Sequence, residues 1–124
     1  VLIIIIEEFT AIVLLVERCE MSKLVVIIRR DGLTGAQQAV QAGHAVAQWL
    51  IAFPAVWLNA TLVYIMVEKE DDLLAYASLF RDKDIDYICY WDCDLGTSYT
   101  ALATADPRAW AHTKRLPLWT PPCK

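Results

Sequence analysis

Apolar residues fall in short blocks separated by polar, capped stretches. Leu24–Ile28 is an unbroken apolar run, the mark of a strand buried on both faces. It ends in Arg29-Arg30-Asp31-Gly32, a loop. Thr34 and Gln37 then stand three apart, as N-cap and N3 of a capping box, which predicts a helix running to about Ala52. Ala39, Val40, Val46, Ala47, Leu50 and Ile51 fall at helical spacing, and Pro54 stops the run. Thr61–Val67 reads as a second buried strand. Asp71 or Asp72 opens a second helix, with Leu73, Leu74, Ala77 and Phe80 on its inner face. Asp86–Trp91 and Ser98–Ala103 read as two more strands. Asp106-Pro107 is an N-cap followed by an N1 proline, which predicts a short helix toward Lys114. The order β-α-β-α-β-β-α predicts an α/β sandwich around a mixed sheet. Ligands of such sheets sit beyond the carboxyl ends of the strands, where the loop from Arg29 to Gly35 and the free N–H groups of the first helix lie.

Ahead of this body stands VLIIIIEEFTAIVLLV, thirteen of whose sixteen residues are apolar. As a helix it spans about 24 Å, short of a bilayer core of about 30 Å, and Glu7 and Glu8 interrupt it. No basic region precedes it and no cleavage motif follows, so it is not read as a signal peptide. Two short strands around a turn are the structural reading. Met21-Ser-Lys before an apolar strand also has the form of a chain start. Residues 1–20 are read as an extra apolar segment, either a native strand pair or a non-native addition, and residues 21–124 as the single domain.

The composition supports one well-packed domain: 124 residues, 57% hydrophobic, 21% charged, which excludes disorder. A net charge of −4 excludes a uniformly basic nucleic-acid binder. Residues 1–20 carry −3, whereas Arg108, Lys114, Arg115 and Lys124 give the last stretch +4 with no acid. A polyanion would be met there, with Trp110 and Trp119 available for stacking on bases. Cys19, Cys89, Cys93 and Cys123 lack metal-site spacing and are read as free thiols of a reducing, cytoplasmic compartment.

Two clusters could carry chemistry. Gln37, Gln41, His44 and Gln48 are spaced 4, 3 and 4 apart, so they share one helix stripe. The stripe is either a solvated face or a row of amides beside an imidazole that orients an ester and a water. Asp92-Cys93-Asp94-Leu95-Gly96-Thr97-Ser98-Tyr99-Thr100 is the second. Asp94 could orient a histidine or water, while Asp and Gly are also ordinary hairpin-turn residues. Nothing local marks a Cys93–His44 nucleophile pair. No P-loop, G-x-G-x-x-G, G-x-S-x-G or H-E-x-x-H occurs.

The strand Leu24-Val-Val-Ile-Ile-Arg29-Arg30-Asp31, followed by Ala39-Val-Gln41-Ala-Gly-His44-Ala45, resembles the type 2 peptidyl-tRNA hydrolases. That family shows R-x-D and then G-K-x-A-A-Q-x-x-H-A. Thr61-Leu-Val-Tyr-Ile, Glu70-Asp-Asp-Leu-Leu, Leu95-Gly-Thr97-Ser-Tyr-Thr100-Ala-Leu-Ala and Leu116-Pro-Leu match its later segments in order. The resemblance runs from Lys23 to about Leu118. It implies a three-layer α/β/α sandwich with a four-stranded mixed sheet, and often a homodimer. It implies hydrolysis of the ester between a peptide and the 3′ ribose of tRNA, without metal or other cofactor and away from membranes. Arg29, Asp31, Gln41, His44 and Thr100 stand at family motif positions. The family lysine is replaced by Gln37, and the loop before the last strand is shortened, with Asp94 as a stand-in for the family aspartate.

The expected site is therefore His44, Gln41 and Asp94 acting on water, with Thr100 and the N–H groups of residues 34–36 holding an oxyanion or phosphate. Arg29, Arg30, Asp31, Gln37, Lys114 and Arg115 would contact the tRNA. Gln37 in place of lysine motivates an alternative, a non-catalytic RNA- or protein-binding module on the same fold. A third reading is a scaffold that dimerises through an exposed apolar edge.

Overall fold

The computed structural model describes residues 23–54, 57, 61–95 and 98–122. The strand-turn reading of residues 1–16, Cys19, Cys123 and the Gly96-Thr97 part of the hairpin lie outside the described residues. The described chain runs β1 (Leu24–Arg29), α1 (Gly35–Ala52), β2 (Leu62–Val67), α2 (Glu70–Asp82), β3 (Ile88–Asp92), a 3₁₀ turn (Cys93–Leu95), β4 (Ser98–Thr104) and α3 (Pro107–Thr113). This is the α/β order expected, on a four-stranded mixed sheet of order β2-β1-β4-β3. β1 and β2 are parallel, and β4 is antiparallel to both its neighbours. The carboxyl ends of β1, β2 and β3 therefore share one end of the sheet, with the starts of α1, α2 and β4.

The unbroken apolar run of β1 serves two cores. Leu24, Val26 and Ile28 pack with Ala42, Ala45 and Trp49 of α1 and with Ala101, Ala103 and Ala105. Val25 and Ile27 pack on the other face with Leu73, Ala77 and Phe80 of α2 and Ala109 of α3. The sheet thus lies between α1 on one side and α2 with α3 on the other. Alanines facing alanines let α1 approach closely.

The local end signals act as expected. The N–H of Gln37 donates to Thr34 Oγ1 at 3.1 Å, and Thr34 N–H donates to Gln37 Oε1 at 2.9 Å. Asp106 accepts from the N–H of Arg108 at 3.0 Å ahead of Pro107. The second helix begins one residue earlier than expected. Lys69 is its N-cap and donates its N–H to Asp72 at 3.1 Å, so Asp72 closes the first turn rather than opening it. Gly32 takes φ 74° in the turn after β1, a conformation open to glycine.

The rotation of α1 was not expected. Of the six apolar positions spaced along it, only Val46 is half-buried, while Val40 is 56% and Ile51 75% exposed. The inward face consists of Gln38, Gln41, Ala42, Ala45 and Trp49. Gln38 is fully used: it donates to the carbonyls of Leu33 (3.0 Å) and Arg30 (3.4 Å), and its Oε1 accepts from Trp119 Nε1 (2.7 Å). It ties the β1–α1 loop to the C-terminal segment, which also covers the outer edge of β2. Met66 N–H donates to Pro117 there, and Trp119 N–H to Tyr64. No helix among the described residues is long and apolar enough to cross a membrane.

Replacing Gln38 by Leu strands the Trp119 indole N–H and the Leu33 carbonyl. Urea unfolding should show a loss of about 2 kcal/mol, against near-neutrality for Gln48→Leu on the exposed side.

Candidate active site

β3 and β4 are joined by a bulged ladder. Tyr90 pairs with Ala101, but the next residue, Trp91, pairs with Tyr99, so Thr100 is the extra residue of β4. In regular alternation Thr100 would share the face of Leu102, toward α2. The bulge instead re-aims it at α1. There its hydroxyl donates to Gln41 Oε1 at 2.7 Å, and Gln41 Nε2 donates to Asp92 Oδ2 at 2.9 Å. Asp92 Oδ1 accepts the N–H of Asp94 at 2.8 Å. Thr100 is fully buried and Gln41 nearly so. The hydroxyl orients the amide, the amide orients the carboxylate, and the chain ends on a half-buried Asp92 at the carboxyl end of β3.

His44 lies one turn further along α1. Its ring stacks on Tyr90, with centroids 4.7 Å apart and planes 6° apart, while its edge stays exposed. Partial burial, and after it the charges of Asp92, Cys93 and Asp94, raise the Tyr90 phenol above its ordinary value. The tyrosine therefore bridges the imidazole and the acidic turn. The polar stripe of α1 faces β3 and β4: Gln37 completes the cap, Gln41 is buried, His44 stacks on Tyr90, and Gln48 borders the outer edge of β3.

Sequence reasoning expected Asp94 beside the stripe. The structure brings Asp92 to Gln41, while Asp94 is exposed on the 3₁₀ turn and contributes its backbone N–H. Asp92, read mainly as a turn residue, is the one missed. The signal that could have found it is its alternation with Tyr90, which puts it on the face of α1. Gln41 and Thr100 are brought together as expected, but as buried supports rather than groups open to a ligand.

Arg29 ends β1 half-buried, its Nε enclosed and without a hydrogen-bond partner. Arg30 pairs with Glu68 at 3.6 Å, and Asp31 is exposed in the turn. Gln37 is spent on the cap of α1, where a Cβ on Gly35 would meet Pro122 at 2.9 Å. The helix start expected to bind an anion thus has the C-terminal segment against it. Lys114 and Arg115 follow α3 on the opposite side of the sheet, so they do not join His44 and Asp92. Arg108 is held by Asp106 and by the carbonyl of Asp84, which breaks up the basic tail. Trp110 lies under the Lys23 ammonium (4.2 Å), and Trp119 is bonded to Gln38, so both expected stacking residues have structural partners.

Asp92, Cys93 and Asp94 bring one possible metal-ligand atom each within 4.8 Å of one another. Two carboxylates and a thiol on one turn do not specify a metal, and both Asp92 oxygens already accept hydrogen bonds. No family model matches the chain, and no curated protein matches it.

Gln41→Leu should destabilise the fold by about 2 kcal/mol, because it strands the Thr100 hydroxyl and one Asp92 oxygen. Adding Thr100→Val should recover part of that loss in a double-mutant cycle of unfolding free energies. The two described cysteines should also separate. Burial, aided by Glu70, pushes the Cys89 thiol up to about 12, whereas Cys93 is exposed. Iodoacetamide at pH 8 should modify Cys93 and spare Cys89 in the folded chain, as read by peptide mass mapping. In the unfolded chain the Cys89 thiol ionises near 9.0. The unfolded state therefore loses its proton first, and this group lowers stability as pH rises past that value.

Proposed function

We propose that the chain hydrolyses the ester of N-acyl-aminoacyl- or peptidyl-tRNA at the end of the sheet where β3 stops. The observation that carries this reading is the buried relay Thr100–Gln41–Asp92, which ends in an oriented carboxylate next to the Tyr90–His44 stack. A relay of this kind leaves a carboxylate little freedom, and pre-set orientation is what an ester-hydrolysing site needs. The resemblance of the R-x-D strand and the Gln41/His44 helix to the type 2 peptidyl-tRNA hydrolases supplies the substrate class.

In this reading His44 accepts a proton from a water whose oxygen attacks the ester carbonyl. The bond from the carbonyl carbon to the ribose 3′ oxygen then breaks, and the proton passes to that oxygen. Asp92 stabilises the positive charge that develops on the imidazole side, and Asp94 adds negative potential at the rim. Gln41 and Thr100 are positioning residues. Arg29, half-buried at the end of β1, and Arg30 beside it are the guanidiniums this reading assigns to a phosphate of the acceptor end, with Asp31 in the same turn. Lys114 and Arg115 lie too far around the fold to belong to this contact.

One observation favours the second reading, a tRNA-binding module without cleavage. Gln37 stands where the family has its lysine, and its amide is consumed by the helix cap.

Single-turnover hydrolysis of N-acetyl-aminoacyl-tRNA, with a chelator present, tests both. His44→Ala should slow cleavage by roughly 10²–10⁴-fold, and Asp92→Asn should slow it with little change in tRNA affinity. Asp94→Asn should have a smaller effect than Asp92→Asn. Wild-type rates in a His44→Ala/Asp92→Asn double variant would remove the site assignment. Salt-sensitive tRNA binding with no cleavage would establish the binding module instead.

A further inference from the structure

The two edges of the sheet are treated differently. The outer edge of β2 is covered by the chain itself, through Pro117 and Trp119. β3 is the strand at the other edge, and among the described residues it pairs only with β4. Among the described residues no main-chain group meets its outer side. Exposed edges are normally blunted by Lys, Pro, an inward charge or a covering loop. Ile88-Cys89-Tyr90-Trp91 has no Lys, Pro or charge, and Asp92 at its end is turned toward Gln41.

The open edge is also furnished. A cavity of about 240 Å³ lies between it and α1, lined by Gln48, Ile88, Cys89, Tyr90 and Trp91. Trp91, 51% exposed, also packs against Tyr99 with ring centroids 6.4 Å apart. A strand added here would find main-chain partners along the edge. Alternate side chains would drop into the cavity or onto the Trp91–Tyr99 pair. Tyr90 lines this cavity and also carries the His44 ring, so the cavity borders the candidate active site through Tyr90.

We propose that the free edge of β3 docks the peptide chain of the substrate as an added strand; this rests on the ester-hydrolase reading. Main-chain pairing suits an enzyme whose substrates share an ester but not a peptide sequence. The geometry also dictates direction. The esterified carbonyl is the C-terminus of the peptide and must lie at the Asp92 end. Since β3 runs toward Asp92, the peptide lies parallel to it. The five residues of β3 span about 16 Å, so four or five peptide residues fill the edge and longer chains gain nothing more.

The test uses the full chain in two measurements. The first compares kcat/KM for N-acetyl-aminoacyl-tRNA and for tRNA carrying acetylated peptides of two, four and eight residues, with and without N-methylation of alternate peptide amides. The rate should rise with length to about four residues and then level. N-methylation in one alternate set should lower it about fivefold, the worth of one main-chain hydrogen bond. Gln48→Trp, which fills the cavity, should erase the length advantage. The second measurement follows exchange of those amides of residues 88–92 that point away from β4, on addition of an acetyl-tetrapeptide methylamide, and protection is expected. Protection without cleavage of any substrate would remove the hydrolase reading while keeping the docking edge. Cleavage indifferent to length and methylation, with no protection, would overturn the proposal. So would protection of these outward-facing amides without peptide, whether concentration-dependent (a second copy on the edge) or concentration-independent (the chain's own residues on it).

Discussion

Two glutamine side chains on the inner face of one helix constrain the rest of this structure. A buried amide is costly unless its donors and acceptors are met, and Gln38 and Gln41 both meet theirs only with α1 in one rotation over the sheet. Gln38 reaches the β1–α1 loop and Trp119, and Gln41 reaches Thr100 and Asp92. Turning the helix to bury Val40 and Ile51 would withdraw both amides. Ala42 and Ala45, facing Ala101 and Ala103, make the chosen rotation possible by letting the helix sit close.

The same constraint builds the candidate site. A regular β4 would point Thr100 toward α2, and the Gln41 amide would lose the donor that orients it. The bulge opposite Tyr90 and Trp91 supplies that donor from the strand, while Asp92 takes the other end of the amide. The reacting surface that remains is small: the edge of His44, the Asp92 carboxylate and the exposed 3₁₀ turn. It stands where β3 ends, on a relay whose supporting members Thr100 and Gln41 are buried, as a preorganised site requires.

Among the described residues sheet closure is one-sided. The C-terminal segment covers part of the β2 edge and packs against the start of α1 at Gly35 and Pro122. Among the described residues nothing covers the outer edge of β3, and that edge leads to the Asp92 carboxylate.

Much of this was legible locally. The apolar run 24–28, the Thr34/Gln37 box with Pro54, and Asp106-Pro107 act through neighbours a few residues away, so α1 begins and ends where they predict. The α/β order followed from the same signals, whereas Gln41 and the Asp92–Thr100 segment stood as two separate clusters that only the resemblance joined into one place to look. Three things were not legible. Helical spacing says which residues share a stripe but not which stripe faces the sheet, and α1 buries the less apolar one. Asp92 and Asp94 are equivalent as turn residues until strand alternation and the bulge separate them. Thr100 and Gln41, expected at the reacting surface, are enclosed. In each case the deciding partner is distant in sequence. Gln41 meets Asp92 across 51 positions and Thr100 across 59, and Gln38 meets Trp119 across 81. Local propensity and caps determined the elements; only the folded sheet decided which polar side chains were buried, because their hydrogen-bond partners exist only after the strands have paired.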